Sequence, residues 1–179
     1  MSGAGEHEGR TGADIRAPAE LSGASAQAAG DGAHAVEARQ PVIRVSAVLA
    51  VDDDGRLLVV RKRGTSVWMQ PGGKPEPGEK PAETLARELH EELGVRLDPA
   101  ELEPLGTFTT AAANEARTTL VADVFRATIQ HPVVADAEID AVMWMHPDDF
   151  ANHQLAPLIT QHMLALMPDT DGGEAGAEG

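Results

Sequence analysis

The chain of 179 residues contains no cysteine, which excludes disulfides, thiolate zinc sites and a thiol nucleophile. It contains no tyrosine, and only three phenylalanines and two tryptophans, so aromatic surfaces for stacking a ligand are scarce. Basic residues are also few: 14 Lys and Arg stand against 29 Asp and Glu, for a formal net charge of -15. A surface this acidic cannot grip DNA or RNA through phosphates, which takes a basic face. No apolar run approaches the length that crosses a bilayer as a helix. Glu6, His7 and Glu8 stand where a secretory leader would be basic. These absences lead to the expectation of a cytoplasmic protein, with neither membrane nor nucleic acid as partner.

What is present divides unevenly along the chain. Residues 1–40 are dominated by Ala, Gly, Ser, Glu and Asp, with Ile15, Leu21 and Val36 among the few large apolar side chains. Such a stretch buries too little to offset its ordering entropy. Residues 168–179 (PDTDGGEAGAEG) are of the same kind. Both are expected to be disordered tails around one domain at 41–167, a length suited to a single core. No internal repeat is visible.

Inside that span the pattern is α/β. VIRVSAVLAV (42–51) and RLLVVRK (56–62) read as strands on either side of a DDDG turn. A Gly- and Pro-rich loop follows, from Gly64 to Gly78. A helix starts near Pro81, a residue favoured in the first turn, and stops at Gly94, a residue favoured just past the last. Strands are expected over 102–110, 117–129 and 138–145, with a closing amphipathic helix over 153–167. Strands flanking one central helix, with another at the end, imply a mixed sheet between helices.

The helix carries an unusual charge arrangement. With Glu88 at the origin, Glu91 falls about 60° to one side and Glu92 about 40° to the other, while Leu85, Leu89 and Leu93 occupy the neighbouring arc. Three carboxylates therefore form a stripe along the border of the buried face. Like charges at this spacing repel, so a positive partner is required. Arg87 is one, and an oxygen-rich cluster also suits a hard cation, Mg²⁺ or Mn²⁺, far better than zinc. For ExxEE alone, a plain solvated face is the simpler reading.

The wider spacing is more specific. Gly73, five residues, Glu79, seven residues, then Arg87-Glu88-Leu89-His90-Glu91-Glu92-Leu93-Gly94-Val95 satisfies every position of the pattern GX5EX7REUXEEXGU, with U apolar. The chain thus resembles the Nudix hydrolase family from about Val42 to about Leu166, and the approach VWMQPGGKPEPGE is similar to that family's. The resemblance implies an α/β/α sandwich with a mixed central sheet. It also implies metal-dependent hydrolysis of a nucleoside diphosphate linked to another moiety. On this likeness Glu88, Glu91 and Glu92 are expected metal ligands, joined by the carbonyl of Gly72, and Arg87 orients the glutamates. Glu79 braces the loop and Gly73 lets it turn. Glu88 or Glu92 is the general base by the same likeness. Glu138, at the start of the strand holding Trp144 and behind a flexible-looking DAE turn, is the rival.

For the substrate, Arg61, Lys62 and Arg63 are candidate phosphate contacts, Trp68 a candidate stacking surface, and Asn114 a candidate base-reading side chain. The tyrosine of diadenosine-polyphosphate members is absent, the proline of ADP-ribose members is missing from TTAAAN (109–114), and the NADH and coenzyme A signatures are not found. A (deoxy)nucleoside triphosphate, including oxidised forms, remains the first expectation. A nucleotide sugar is the second, and a non-catalytic module that senses a nucleotide is a third of another class. Family likeness also makes a homodimer an expectation.

Overall fold

The structure is a computed structural model that describes residues 40–130 and 132–168. The tails expected at 1–40 and 168–179 lie outside the described residues, apart from Gln40 and Pro168. Among the described residues, seven strands form two sheets. In the first, β4 (Gly72–Gly73), β1 (Val42–Leu49), β6 (Thr119–Arg126) and β5 (Glu103–Ala111) stand in that order. β1 and β6 run parallel and the other neighbours antiparallel. The second is antiparallel, with β3 (Trp68–Met69), β2 (Leu57–Lys62) and β7 (Ile139–Met145) in that order. The mixed sheet expected from the sequence is therefore split. β1 leads into β2 through a tight turn, where Asp52 Oδ1 accepts the N–H groups of Asp54 and Arg56 and Gly55 takes φ 75°.

Strand alternation sorts the core into two layers. Val48, Ala50, Leu58 and Val60 face α1 (Pro81–Leu93), where Leu85, Leu89 and Leu93 meet them. Ala47, Leu49, Leu57 and Val59 face the opposite way, onto Leu158, Ile159 and Met163 of the C-terminal helical segment. Both faces of β1 and β2 are covered, which explains why their sequences are nearly continuous apolar runs. Leu85 and Leu89 are fully buried, and each such side chain contributes roughly 1.5–3 kcal/mol. The result is the expected α/β/α sandwich.

The ends of α1 follow local rules. Pro81 opens it, and the Lys80 N–H donates to Glu83 Oε2 at 3.0 Å. Gly94, at φ 68°, closes it in the left-handed conformation that a Cβ would disfavour, with its N–H on His90 O and the Val95 N–H on Leu89 O.

Two expectations differ from the structure. The closing helix begins at Pro157 rather than His153, because the preceding residues pair with β3. The Trp68 N–H donates to Gln154 O and the Ala156 N–H to Trp68 O, both at 2.8 Å. From Ile159 to Met163 the helix widens into a π turn, then tightens over Leu164–Leu166. Within the expected loop 64–78 lie two-residue strands, β3 and β4, which are too short to show a period in sequence.

Candidate active site

The site begins with two glycines. Gly72 has φ 133°, and a Cβ there would lie 2.1 Å from Ser46 O, so only glycine lets β4 lie this close on β1. A Cβ on Gly73 would lie 2.2 Å from the Glu88 carboxyl carbon, so the missing side chain is what lets that carboxylate rest against the backbone.

Arg87 ties the loop to the helix. Its Nε and Nη2 donate to the two oxygens of Glu79 at 2.7 and 3.0 Å, a forked pair of charge-assisted bonds. Nη1 donates to Glu88 Oε1 at 3.0 Å and Glu91 Oε2 at 3.1 Å, and Nη2 also reaches the Lys74 carbonyl at 3.0 Å. Glu79 accepts further bonds from the Glu76 N–H and the Thr84 hydroxyl. The Arg87 hydrogen bond, with help from the Glu76 N–H, holds the Glu79 carboxyl down to about 2. The same bond to Glu79 raises Arg87 further above its already high value, so this guanidinium stays charged.

Glu92 is the buried member of the stripe, at 3% exposed. Its Oε2 accepts the Gly72 N–H at 3.2 Å. Burial pushes its carboxyl up to about 7; the Gly72 N–H and Lys62 pull it down, while the charges of Glu88 and Glu138 push it up. Lys62 forms an ion pair with Glu138. The Asp136–Glu138 turn, which the sequence suggested was flexible, is tied down on both sides. The Asp136 N–H donates to Glu92 O, the Arg63 N–H to Glu138 O, and Ala137 is held at φ 53°.

A cleft of about 470 Å³ opens over this region. Of the residues expected from the sequence, Gly72, Gly73, Glu88, Glu138, Lys62, Arg63 and Asn114 line it. Glu92 sits directly behind, on the Gly72 N–H. Glu91 is about half exposed on the Arg87 guanidinium and does not line the cleft. Arg87 and Glu79 act from the side as braces.

Arg61 and Trp68 are placed elsewhere, which corrects their reading as substrate contacts. Trp68 is 6% exposed in the core layer beneath the C-terminal segment, with His153 edge-on to its ring. The Arg61 guanidinium lies 5.1 Å over that ring, and its Nε donates to Asp140 Oδ1 at 3.1 Å. The pairing of β2 with β7 shifts register between Arg61 and Lys62, and Lys62 and Arg63 line the cleft while Arg61 does not. Lys62, like Arg63, lines the cleft as a candidate phosphate contact, and Lys74 and Gln70 line it too, without a role assigned in sequence. Lys74 and Gln70 carry no local signal in sequence.

Among the described residues, no three acidic or imidazole groups already stand close enough to cage an ion. Arg87 holds Glu88 and Glu91 as ion pairs instead. The donor chemistry still fits a hard divalent cation, since the site offers carboxylate oxygens and backbone carbonyls and no sulfur. The Glu88 carboxylate occupies the place that a side chain on Gly73 would fill.

Comparison with known proteins agrees with this geometry. The family model described as NUDIX domain matches residues 41–167. A MutT-like protein of Streptomyces ambofaciens is 35% identical over 139 residues, covering 76% of this chain and 83% of that protein. The CTP pyrophosphohydrolase of Escherichia coli strain K12 is 26% identical over 65% of this chain and 86% of its own length. Among solved structures, a MutT protein from Methanosarcina mazei Go1 superposes with a TM-score of 0.59 at 21% identity, covering 72% of this chain and 94% of that one. That structural likeness supports the fold.

Proposed function

The chain belongs to the Nudix family, whose members hydrolyse phosphoric anhydride bonds, and from that premise we propose that it is a pyrophosphohydrolase of (deoxy)nucleoside triphosphates. One observation carries the reading. A single cleft brings three carboxylates, Glu88, Glu115 and Glu138, together with three cations, Lys62, Arg63 and Lys74, and with an uncharged stretch of wall at Ala111–Asn114. Phosphates need the cations, and an uncharged base and sugar need the wall.

Nudix hydrolases work with divalent metal ions. Glu88, Glu91 and Glu92, with the Gly72 carbonyl, are the groups that would hold Mg²⁺ or Mn²⁺ here. When bound, such an ion neutralises phosphate oxygens and acidifies water. The chain's own residues do the rest. Lys62, Arg63 and Lys74 bind the phosphate chain and fix its position. Glu88 and Glu138 face the cleft and are the groups able to take a proton from the attacking water. Glu92, sealed from solvent behind Gly72, would serve as a metal ligand rather than in proton transfer. Arg87 sets the positions of Glu88 and Glu91. Water adds to a phosphorus, the bond to the bridging oxygen breaks, and a nucleoside monophosphate and pyrophosphate leave.

The test is a panel of ribo- and deoxyribonucleoside triphosphates, oxidised forms and nucleotide sugars, assayed with Mg²⁺ and with Mn²⁺. Release of pyrophosphate from triphosphates is the expected result. Turnover confined to nucleotide sugars would replace the substrate assignment, and binding without turnover would make the protein a sensor.

A further inference from the structure

Gln70 stands between β3 and β4, is 8% exposed, and lines the same cleft as Glu88 and Gly72. Its Oε1 is buried and has no hydrogen-bond partner among the described residues. An amide oxygen in that condition is destabilising, and buried polar groups are otherwise almost always partnered. The apolar part of the cleft lining is aliphatic, with Ile43, Val45, Met69 and Leu120, and no Phe or Trp lines the cleft. A nucleobase entering here meets no ring to stack on, so shape and hydrogen bonding must distinguish one base from another. Phosphate is not a suitable partner for Oε1, because it brings only further acceptor oxygens at neutral pH.

We propose that Gln70 is the specificity-determining residue for the base, with Oε1 accepting an N–H from the base edge and Nε2 donating to the acceptor beside it. A carboxamide offers an acceptor next to a donor, which complements the donor–acceptor pair on a nucleobase edge. The assignment rests on the nucleotide reading above and names the group that makes the choice within it. A site built to hydrogen-bond its substrate rejects an analogue lacking that group far better than an apolar pocket can.

The experiment uses the full chain and the variants Gln70→Leu and Gln70→Met. It measures kcat/KM for the ribo- and deoxyribonucleoside triphosphates of each base, their oxidised forms, and ribose 5-triphosphate, which lacks a base, together with Tm. The wild type is expected to prefer one base, and both variants to lower kcat/KM for that nucleotide on the order of 10- to 100-fold. Turnover of ribose 5-triphosphate should be unchanged. Tm should stay the same or rise, because an unpartnered polar group is being replaced by an apolar one. Equal losses on all substrates, the baseless one included, would make Gln70 structural or sugar-binding and overturn the proposal. So would a wild type indifferent to the base, or variants that keep the preference. If the wild type hydrolyses ribose 5-triphosphate but none of the nucleotides, the proposal fails while phosphoric anhydride hydrolysis stands. If it hydrolyses nothing on the panel, the triphosphate reading itself fails and takes the proposal with it.

Discussion

Raising the pH from 5 to 8 in the presence of a chelator should destabilise this protein through one residue, Glu92. Its carboxyl ordinarily titrates at 4.5, and burial pushes it up to about 7 in the folded state. Below the lower value both folded and unfolded chains are protonated and nothing changes. Between the two values the unfolded chain ionises while the folded one stays neutral, so stability falls as pH rises, then levels off above the folded value. A difference of about 2.5 units corresponds to roughly 3 kcal/mol. For a domain of this size that is a fall in Tm on the order of 10 °C. The measurement is thermal unfolding in EDTA at pH 5 and pH 8 for the wild type and for Glu92→Gln. The variant keeps an oxygen for the Gly72 N–H but has no proton to lose, and titration of the histidines is common to both. The variant should therefore lose much less Tm across this window, and Mg²⁺ should restore the wild type most at pH 8, where the carboxylate is ionised. Equal losses in both proteins would refute the reasoning, because Glu92 would then be solvated enough to titrate normally.

Turnover should disappear in EDTA and return with Mg²⁺ or Mn²⁺ but poorly with Zn²⁺, since the donors are oxygens; undiminished rates in excess chelator would remove the metal from the mechanism. Arg87→Lys should lower kcat on the order of 10²-fold and also lower Tm, because a single ammonium cannot reproduce the fork on Glu79 while holding Glu88 and Glu91. A fully active lysine variant would show that charge alone suffices. Glu138→Gln separates Glu138 from Glu88 as the group that takes the proton. If Glu138 takes the proton, kcat falls strongly and the acid limb of the pH–rate profile flattens. If it supports the metal, kcat falls moderately and the Mg²⁺ titration shifts, and if neither quantity moves, its pairing with Lys62 is only a surface contact.

Helix α1 was legible in sequence because independent signals agree there: Pro81 at its start, Gly94 at its end, and an apolar arc at helical spacing. The apolar runs of β1 and β2 were equally plain, since both faces of each are covered. β3 and β4 were not, because two residues have no period and their pairing is decided by distant partners, Arg61 and Val60 for one, Ser46 and Ala47 for the other. The start of the closing helix failed for a related reason, as tertiary pairing with Trp68 takes Gln154 and Ala156 out of an otherwise helical pattern. Arg61 and Lys62 are indistinguishable by composition, and the register shift of β2 on β7 that falls between them, with Lys62 lining the cleft and Arg61 not, has no sign in sequence. The carboxylate stripe was readable from spacing; that Glu92 would be sealed while Glu91 stays half exposed depends on how β4 packs over the helix.

The two glycines of β4 carry different kinds of constraint, and this gives an experimental handle. A side chain at Gly72 would strike backbone, Ser46 O at 2.1 Å and Ala47 Cα at 2.9 Å, and backbone there cannot yield without parting β4 from β1. A side chain at Gly73 would strike only the end of Glu88, which has rotatable bonds with which to retreat. Alanine at 72 is thus a lesion of the fold. Alanine at 73 is a lesion of one carboxylate's position, leaving a folded chain whose phosphate cations and neutral wall are intact. That second variant is the natural choice for holding an uncleaved substrate in the cleft long enough to be identified from a cell extract.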